Sequence, residues 1–224
     1  MYQRFKFKFD GLENIERNYS QALQDLFVLA VLDGKRNGTF LEIGAYHGTY
    51  LSNTYLLEKE FGWNGISVDI DHSAKASFDA TRRTAKFILG DATCLDYDKI
   101  LSETFDAHEI SYLQIDVEPN WNSLKTLKQI PFDKWKFATL NFEHDHYSPE
   151  QQKEENDKIR QESEEILESY GYIAVAKNIE NIGNDEFESW FCHPDLVSMD
   201  VINLFMLEDV NKPIRAKDYM LEAE

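Results

Sequence analysis

A chain of 224 residues is long enough for one hydrophobic core and short for two full domains. Its 41 acidic residues outnumber 23 basic ones, and a formal charge of −18 disfavours a protein that grips nucleic acid by its phosphates. The longest apolar run, Leu26 to Leu32, falls far short of the ~20 residues a membrane span requires.

Residues 1–18 read as an N-terminal arm, in which Met1–Phe9 alternates charge and aromatic ring where a leader peptide has a continuous apolar segment. The rest of the chain, with no repeat and no linker-like stretch, reads as one domain over 1–224. Ser20 to Leu32 has helical spacing with Ser20 as N-cap. Short apolar runs follow at Thr39–Ile43, Gly65–Ile70, Lys86–Leu89, Ile110–Val117, Phe137–Phe142 and Tyr172–Ala176. Helical or charged segments separate them: Thr49–Phe61, Ser73–Arg83, Asp96–Phe105, Trp121–Ile130 and Glu150–Tyr170. Strand alternating with helix is the pattern of a parallel sheet covered on both faces. Phe187–Cys192 adds a strand and Asp195–Leu207 a closing helix. Arg82 and Arg83 are expected to face solvent, and so is most of Glu150–Glu168. Cys94 and Cys192 form neither a disulfide framework nor a zinc spacing, so a cytoplasmic protein with two buried thiols is expected.

The segment Phe40-Leu41-Glu42-Ile43-Gly44-Ala45-Tyr46-His47-Gly48-Thr49 ends a strand in a carboxylate, turns through Gly44, Ala45 and Gly48, and enters a helix. In doubly wound sheets, ligands bind in that crevice. The spacing is neither G-x-G-x-x-G nor a P-loop. Glu42 would repel a pyrophosphate and suits a ligand with an ammonium and a sulfonium, which is S-adenosylmethionine (SAM). Asp69, followed by Ile70, ends the second strand 21 positions after Gly48, where an acid accepts from ribose hydroxyls. Asp91, followed by Ala92, closes the third strand and can accept from an adenine amino group. Asp116 and Glu118 close the fourth. Each acid alone reads as a turn or cap residue; four in succession read as a nucleoside site.

The motifs Tyr19-Ser20-Gln21…Gln24-Asp25, Phe40–Gly48, Leu51-Ser52-Asn53-Thr54…Leu57-Glu58, Gly62-Trp63-Asn64-Gly65, Leu113–Glu118 and Phe187–Pro194 together resemble the FkbM-type methyltransferases, over roughly Tyr19 to Val201. The resemblance implies a class I SAM-dependent (Rossmann-like) α/β fold: a three-layer sandwich whose mostly parallel seven-stranded sheet ends in an antiparallel strand. It also implies O-methylation of a hydroxyl. Glu42, Gly44, Asp69 and Asp91 would then hold the cofactor, with Ser20, Gln24, Ser52 and Asn53 near it. Two positions depart from the family pattern. Tyr46 replaces a common Asn, and Pro119 a Gly, which changes the turn at the fourth strand.

Methyl transfer to an alcohol needs a positioned acceptor and a proton acceptor or a metal that lowers the hydroxyl pKa. Glu143 is the first candidate for base, with Asp116 across the crevice and His146 as second choice. Asp116, Glu118 and Glu143 form a candidate magnesium or manganese set. Taken singly, His144 and His146 read as exposed loop histidines. Trp121, Trp190 and His193 are candidates to shape the acceptor pocket, and Tyr46 and His47 to cover the cofactor. The acceptor expected is a small molecule or glycan. Two other readings compete: a metal-dependent glycosyltransferase using Asp69-Ile70-Asp71, and a non-catalytic SAM-binding module.

Overall fold

The computed structural model describes residues 4–144, 153–181 and 186–223. Five parallel strands come first: β1 (Thr39–Ile43), β2 (Asn64–Asp69), β3 (Lys86–Leu89), β4 (Glu109–Ile115) and β5 (Lys136–Glu143). They are followed by β6 (Ile173–Glu180), β7 (Glu186–Cys192) and the two-residue β8 (Ile214–Arg215). The sheet order is β3-β2-β1-β4-β5-β7-β6-β8, with β7 antiparallel to both of its neighbours. The expected seven-stranded sheet is therefore present, with the short β8 added beside β6 as an eighth strand. The order reverses between β1 and β4, which opens a crevice at the carboxyl ends of those strands.

The sheet is the middle layer of three. One face packs against α1 (Gln24–Val31), α2 (Tyr55–Phe61), α3 (His72–Ala80), α7 (Met199–Phe205) and α8 (Ala216–Met220). The other packs against α4 (Tyr97–Ser102), α5 (Trp121–Leu127) and α6 (Lys153–Ser169). In α6 the buried residues Asn156, Ile159, Ser163 and Leu167 recur at helical spacing, so one face seals the core and the charged remainder is solvated. Phe5, Phe7 and Phe9 of the N-terminal arm pack inward. Phe5 and Phe9 are buried, and Phe7 stacks on Phe205 with centroids 4.2 Å apart.

Four expectations change. First, α1 begins at Gln24, because the buried Asp25 carboxylate gathers Ser20 Oγ at 2.6 Å and the backbone N–H groups of Tyr19, Ser20 and Leu26. That coils residues 19–23 around Asp25 and removes Ser20 from the N-cap position. Second, residues 49–54 are not helical: Leu51 is left-handed, and Ser52 Oγ accepts from the backbone N–H groups of Thr54 and Tyr55. Third, the side chain of Arg83 is wholly buried. Its Nε donates to Glu58 at 2.5 Å, and its other nitrogens reach Gly48 O, Ser52 Oγ and Thr54 Oγ1. Fourth, Cys192 is buried as expected, but Cys94 is exposed beside Asp91.

Candidate functional site

A cleft of about 460 Å³ opens at the carboxyl ends of β1, β2, β3, β4 and β5, within the size range of small-molecule sites. Glu42, Asp69, Asp71, Asp91, Asp116, Glu118 and Glu143 all line it, and no lysine or arginine does among the described residues. The four strand-ending acids read from the sequence thus share one cavity, together with Gln24, Gly44, Asn53, Ile70 and Ala92.

Each acid is held by its local turn. Asp69 accepts from the backbone N–H of Tyr46 and of Asp71, both at 2.8 Å, which ties the β2 end to the turn after β1. Asp71 caps α3 by accepting from the Ser73 N–H at 2.7 Å, and this bond holds its carboxyl below the usual range. Asp91 accepts from the Thr93 hydroxyl at 2.8 Å and backbone N–H at 2.9 Å, with the same effect on its pKa. Glu42 is buried and accepts from Ser67 Oγ at 2.6 Å. Burial pushes its carboxyl up, opposed by the Arg83 charge and the Ser67 bond. Asp116 and Glu143 lie one residue beyond the paired Ile115 and Phe142, so the ends of β4 and β5 bring them to the same side of the cleft.

Other expected site residues stand elsewhere. Gly48 faces α3, where a Cβ would lie 2.5 Å from Thr81 Oγ1 and 2.8 Å from Ser77 O, so this glycine serves packing. Ala45 is buried behind the turn, and its N–H donates to Val68 O at 3.1 Å. Ser52 belongs to the Arg83 cluster. Ser20 is bound to Asp25. None of these four lines the cleft.

His47 Nδ1 accepts from the Thr49 and Tyr50 N–H groups, so it closes its own turn, and it does not line the cleft. Tyr46 lines the cleft, 64 % exposed and left-handed at φ 49°; an Asn, the residue common there in the resembling family, takes that backbone at lower cost. Trp190 is core, 4.3 Å from the Phe27 ring centroid, and His193 sits at the opposite end of β5, its N–H on Ala138 O. Neither shapes an acceptor pocket. Trp121 is half exposed at the start of α5, just after the lining Glu118 and a cis Glu118–Pro119 peptide. His144 is fully buried, its Nε2 3.3 Å from Lys177 O, and is no loop histidine. His146 lies outside the described residues. Asp116, Glu118 and Glu143 share the cleft, and among the described residues no three ligating side chains gather closely enough to hold a metal ion.

Sequence reasoning missed a buried polar row beneath the cleft floor. Strand pairing sets Ser67, Glu42, Gln114, Asn141 and Trp190 side by side across β2, β1, β4, β5 and β7. Two residues further toward the cleft, Glu143 pairs with Glu188. The signal was present: Leu41-Glu42-Ile43, Leu113-Gln114-Ile115 and Leu140-Asn141-Phe142 each set one polar residue between apolar ones in a buried strand. Glu188 is fully buried and accepts from Trp190 Nε1, Gln24 Nε2 and Asn141 Nδ2. Burial lifts its carboxyl to about 8, with the Trp190 and Gln24 bonds opposing and the Asp116 charge adding.

That value fixes the sign of a pH effect. The folded chain binds the Glu188 proton more tightly than the unfolded chain, whose carboxyl has the ordinary 4.5. The stabilisation is complete below pH 4.5 and is lost as pH rises through about 8, by at most about 1.4 kcal/mol per pH unit. The thermal unfolding midpoint should therefore fall between pH 5 and 8, and more shallowly in Glu188→Gln. Equal slopes in the two proteins would mean that this carboxyl does not titrate there.

No protein-family model matches the sequence, and no curated protein matches it significantly. Solved structures do match the fold. A protein provisionally named an rRNA methylase from Clostridium thermocellum superposes with a TM-score of 0.53 at 10% identity, covering 80% of this chain and 97% of the other. A protein provisionally named an O-methyltransferase from Klebsiella pneumoniae gives 0.51 at 12% identity, over 76% and 79%. The fold is that of the class I SAM-dependent methyltransferases. Among the described residues, no helix is long and apolar enough to cross a membrane.

Proposed function

We propose that this chain is a SAM-dependent methyltransferase of the FkbM type, transferring a methyl group to a hydroxyl oxygen of a small-molecule or carbohydrate-like acceptor. The observation that carries the reading is the cleft itself: seven carboxylates at or just beyond successive strand ends and, among the described residues, no lining lysine or arginine. Such a cavity favours a cationic sulfonium and repels a diphosphate. The cavity fits the cofactor in size and in donor set, and Asn53 brings to its wall a buried amide whose Oδ1 has no hydrogen-bond partner among the described residues. When bound, the cofactor supplies an electrophilic methyl group.

The chain's residues do the rest. Asp69 accepts from the ribose hydroxyls and Asp91 from the adenine amino group, with Ile70 and Ala92 beside the base. Glu143, next to Asp116, accepts the proton that the acceptor hydroxyl loses; His146 is the second candidate for that role. Asp71 is committed to capping α3, so an Asp69–Asp71 ion site for a nucleotide sugar finds little support.

Calorimetric titration with S-adenosylhomocysteine, beside a nucleotide sugar with manganese, tests the reading. Micromolar binding of the first alone is expected, and binding of the nucleotide sugar alone overturns it. Asp69→Ala should weaken S-adenosylhomocysteine by roughly 10- to 100-fold, the worth of hydrogen bonds to a charged group. Glu143→Gln should leave that binding intact and lower turnover on an acceptor panel by about 10²- to 10⁴-fold. Cofactor binding without turnover on any acceptor would favour the non-catalytic module.

A further inference from the structure

The Tyr19–Asp25 motif and the late Glu188 meet at one point, the side chain of Gln24. This residue opens α1, lines the cleft and is 2 % exposed. Its Oε1 accepts from the Ala22 N–H at 2.7 Å and its Nε2 donates to Glu188 Oε2 at 3.2 Å. Flipping the amide would set N–H against the Ala22 N–H and take the donor away from Glu188 Oε2, so the two bonds together dictate its orientation. Glu188 is itself held by Trp190 Nε1 and by Asn141 Nδ2 at 3.3 Å, on β7 and β5, far from Gln24 in sequence. An amide nitrogen carries two hydrogens, and Glu188 takes one of them.

The cleft gives that second hydrogen a use. Any ligand with its own carboxylate enters a cavity lined by seven acids, where the only lining side-chain N–H donors among the described residues are Gln21, Gln24, Asn53 and Asn122. We infer that Glu188 is a positioning residue, orienting the Gln24 amide so that Nε2 donates to the carboxylate at the amino-acid end of the cofactor. The inference rests on the methyltransferase reading above and extends it to a buried strand-β7 residue that does not line the cavity.

The test compares two ligands by calorimetry on the full chain. S-Adenosylhomocysteine carries the carboxylate; 5′-methylthioadenosine shares the adenosine and thioether and lacks it. In Glu188→Gln and in Gln24→Met, S-adenosylhomocysteine should bind about tenfold or more weakly, and 5′-methylthioadenosine as in the unmodified chain. Adding Glu188→Gln to Gln24→Met should weaken S-adenosylhomocysteine no further, because the two act through one bond. Thermal unfolding checks that each variant is folded. Should Glu188→Gln not fold, Gln24→Met still decides: undiminished S-adenosylhomocysteine binding there overturns the proposal.

Equal losses for both ligands overturn it as well, since a network that merely stitches α1 to β7 would produce them. Additive losses in the double variant do the same. If the unmodified chain binds S-adenosylhomocysteine and the variants bind it equally well, this inference alone fails. If the unmodified chain binds neither adenosyl ligand, the methyltransferase reading fails and takes this inference with it.

Discussion

Gly44→Ala is expected to abolish S-adenosylhomocysteine binding and to lower folding stability by about 4 kcal/mol or more. Gly44 sits at φ 89°, and a Cβ there would lie 1.5 Å from the backbone oxygen of Asp116. The obstacle is the main chain of β4, which no rotamer change can move. The Gly44 N–H is bonded to Val68 O and the Asp116 N–H to Ile43 O, so relief would have to pull apart the three strands that carry Glu42, Asp69 and Asp116. Gly90→Ala is the control: its Cβ would meet only Leu95 Cδ2, at 3.5 Å, an ordinary contact. Denaturant titration of both variants checks the contrast, and similar midpoints for the two would contradict this account.

The second large effect is expected at Arg83. Arg83→Leu should cost about 3–5 kcal/mol, because it leaves the Glu58 carboxylate buried without its guanidinium. Arg83→Lys should recover little. One ammonium cannot reproduce the fork that reaches Glu58, Gly48 O, Ser52 Oγ and Thr54 Oγ1 from one plane. Those partners fasten the loop between β1 and α2, which brings Tyr46, Leu51 and Asn53 to the cleft, so cofactor affinity should fall with stability. Glu58→Gln with Arg83→Leu, which removes both charges, should be milder than Arg83→Leu alone. Chemical denaturation of the three variants decides. A single variant no worse than the pair would mean that the buried charge is not the source of the cost.

Arg83 also shows what pattern reading misses. By sequence it follows a helix beside Arg82 and reads as surface, because its acid lies 25 residues upstream and only the packing of α2 against the β3 approach brings them together. Glu42, Asp69, Asp91 and Asp116 were legible for the opposite reason. Each ends an apolar run, and a parallel sheet carries all such ends to one edge. Gly48 carried the spacing of a ligand loop and Ser52 was placed near the cofactor by the family resemblance, yet their neighbours turn out to be α3 and Arg83. Trp190 misled in a similar way, since residue type alone does not tell a core aromatic from a pocket wall, and His144, which read as an exposed loop histidine, is core as well.

Alternating apolar runs and helical spacing, which are local properties of the chain, were sufficient for the α/β class, the succession of strands and the set of acids at their ends. Tertiary structure alone decided which of the two turn glycines bears on the cleft, which arginine is buried, and that Glu188 on the antiparallel β7 reaches Gln24 on α1. Such contacts join residues up to 164 positions apart. Their energies depend on burial and on the geometry of the partner, and neither is encoded in the spacing of nearby residues.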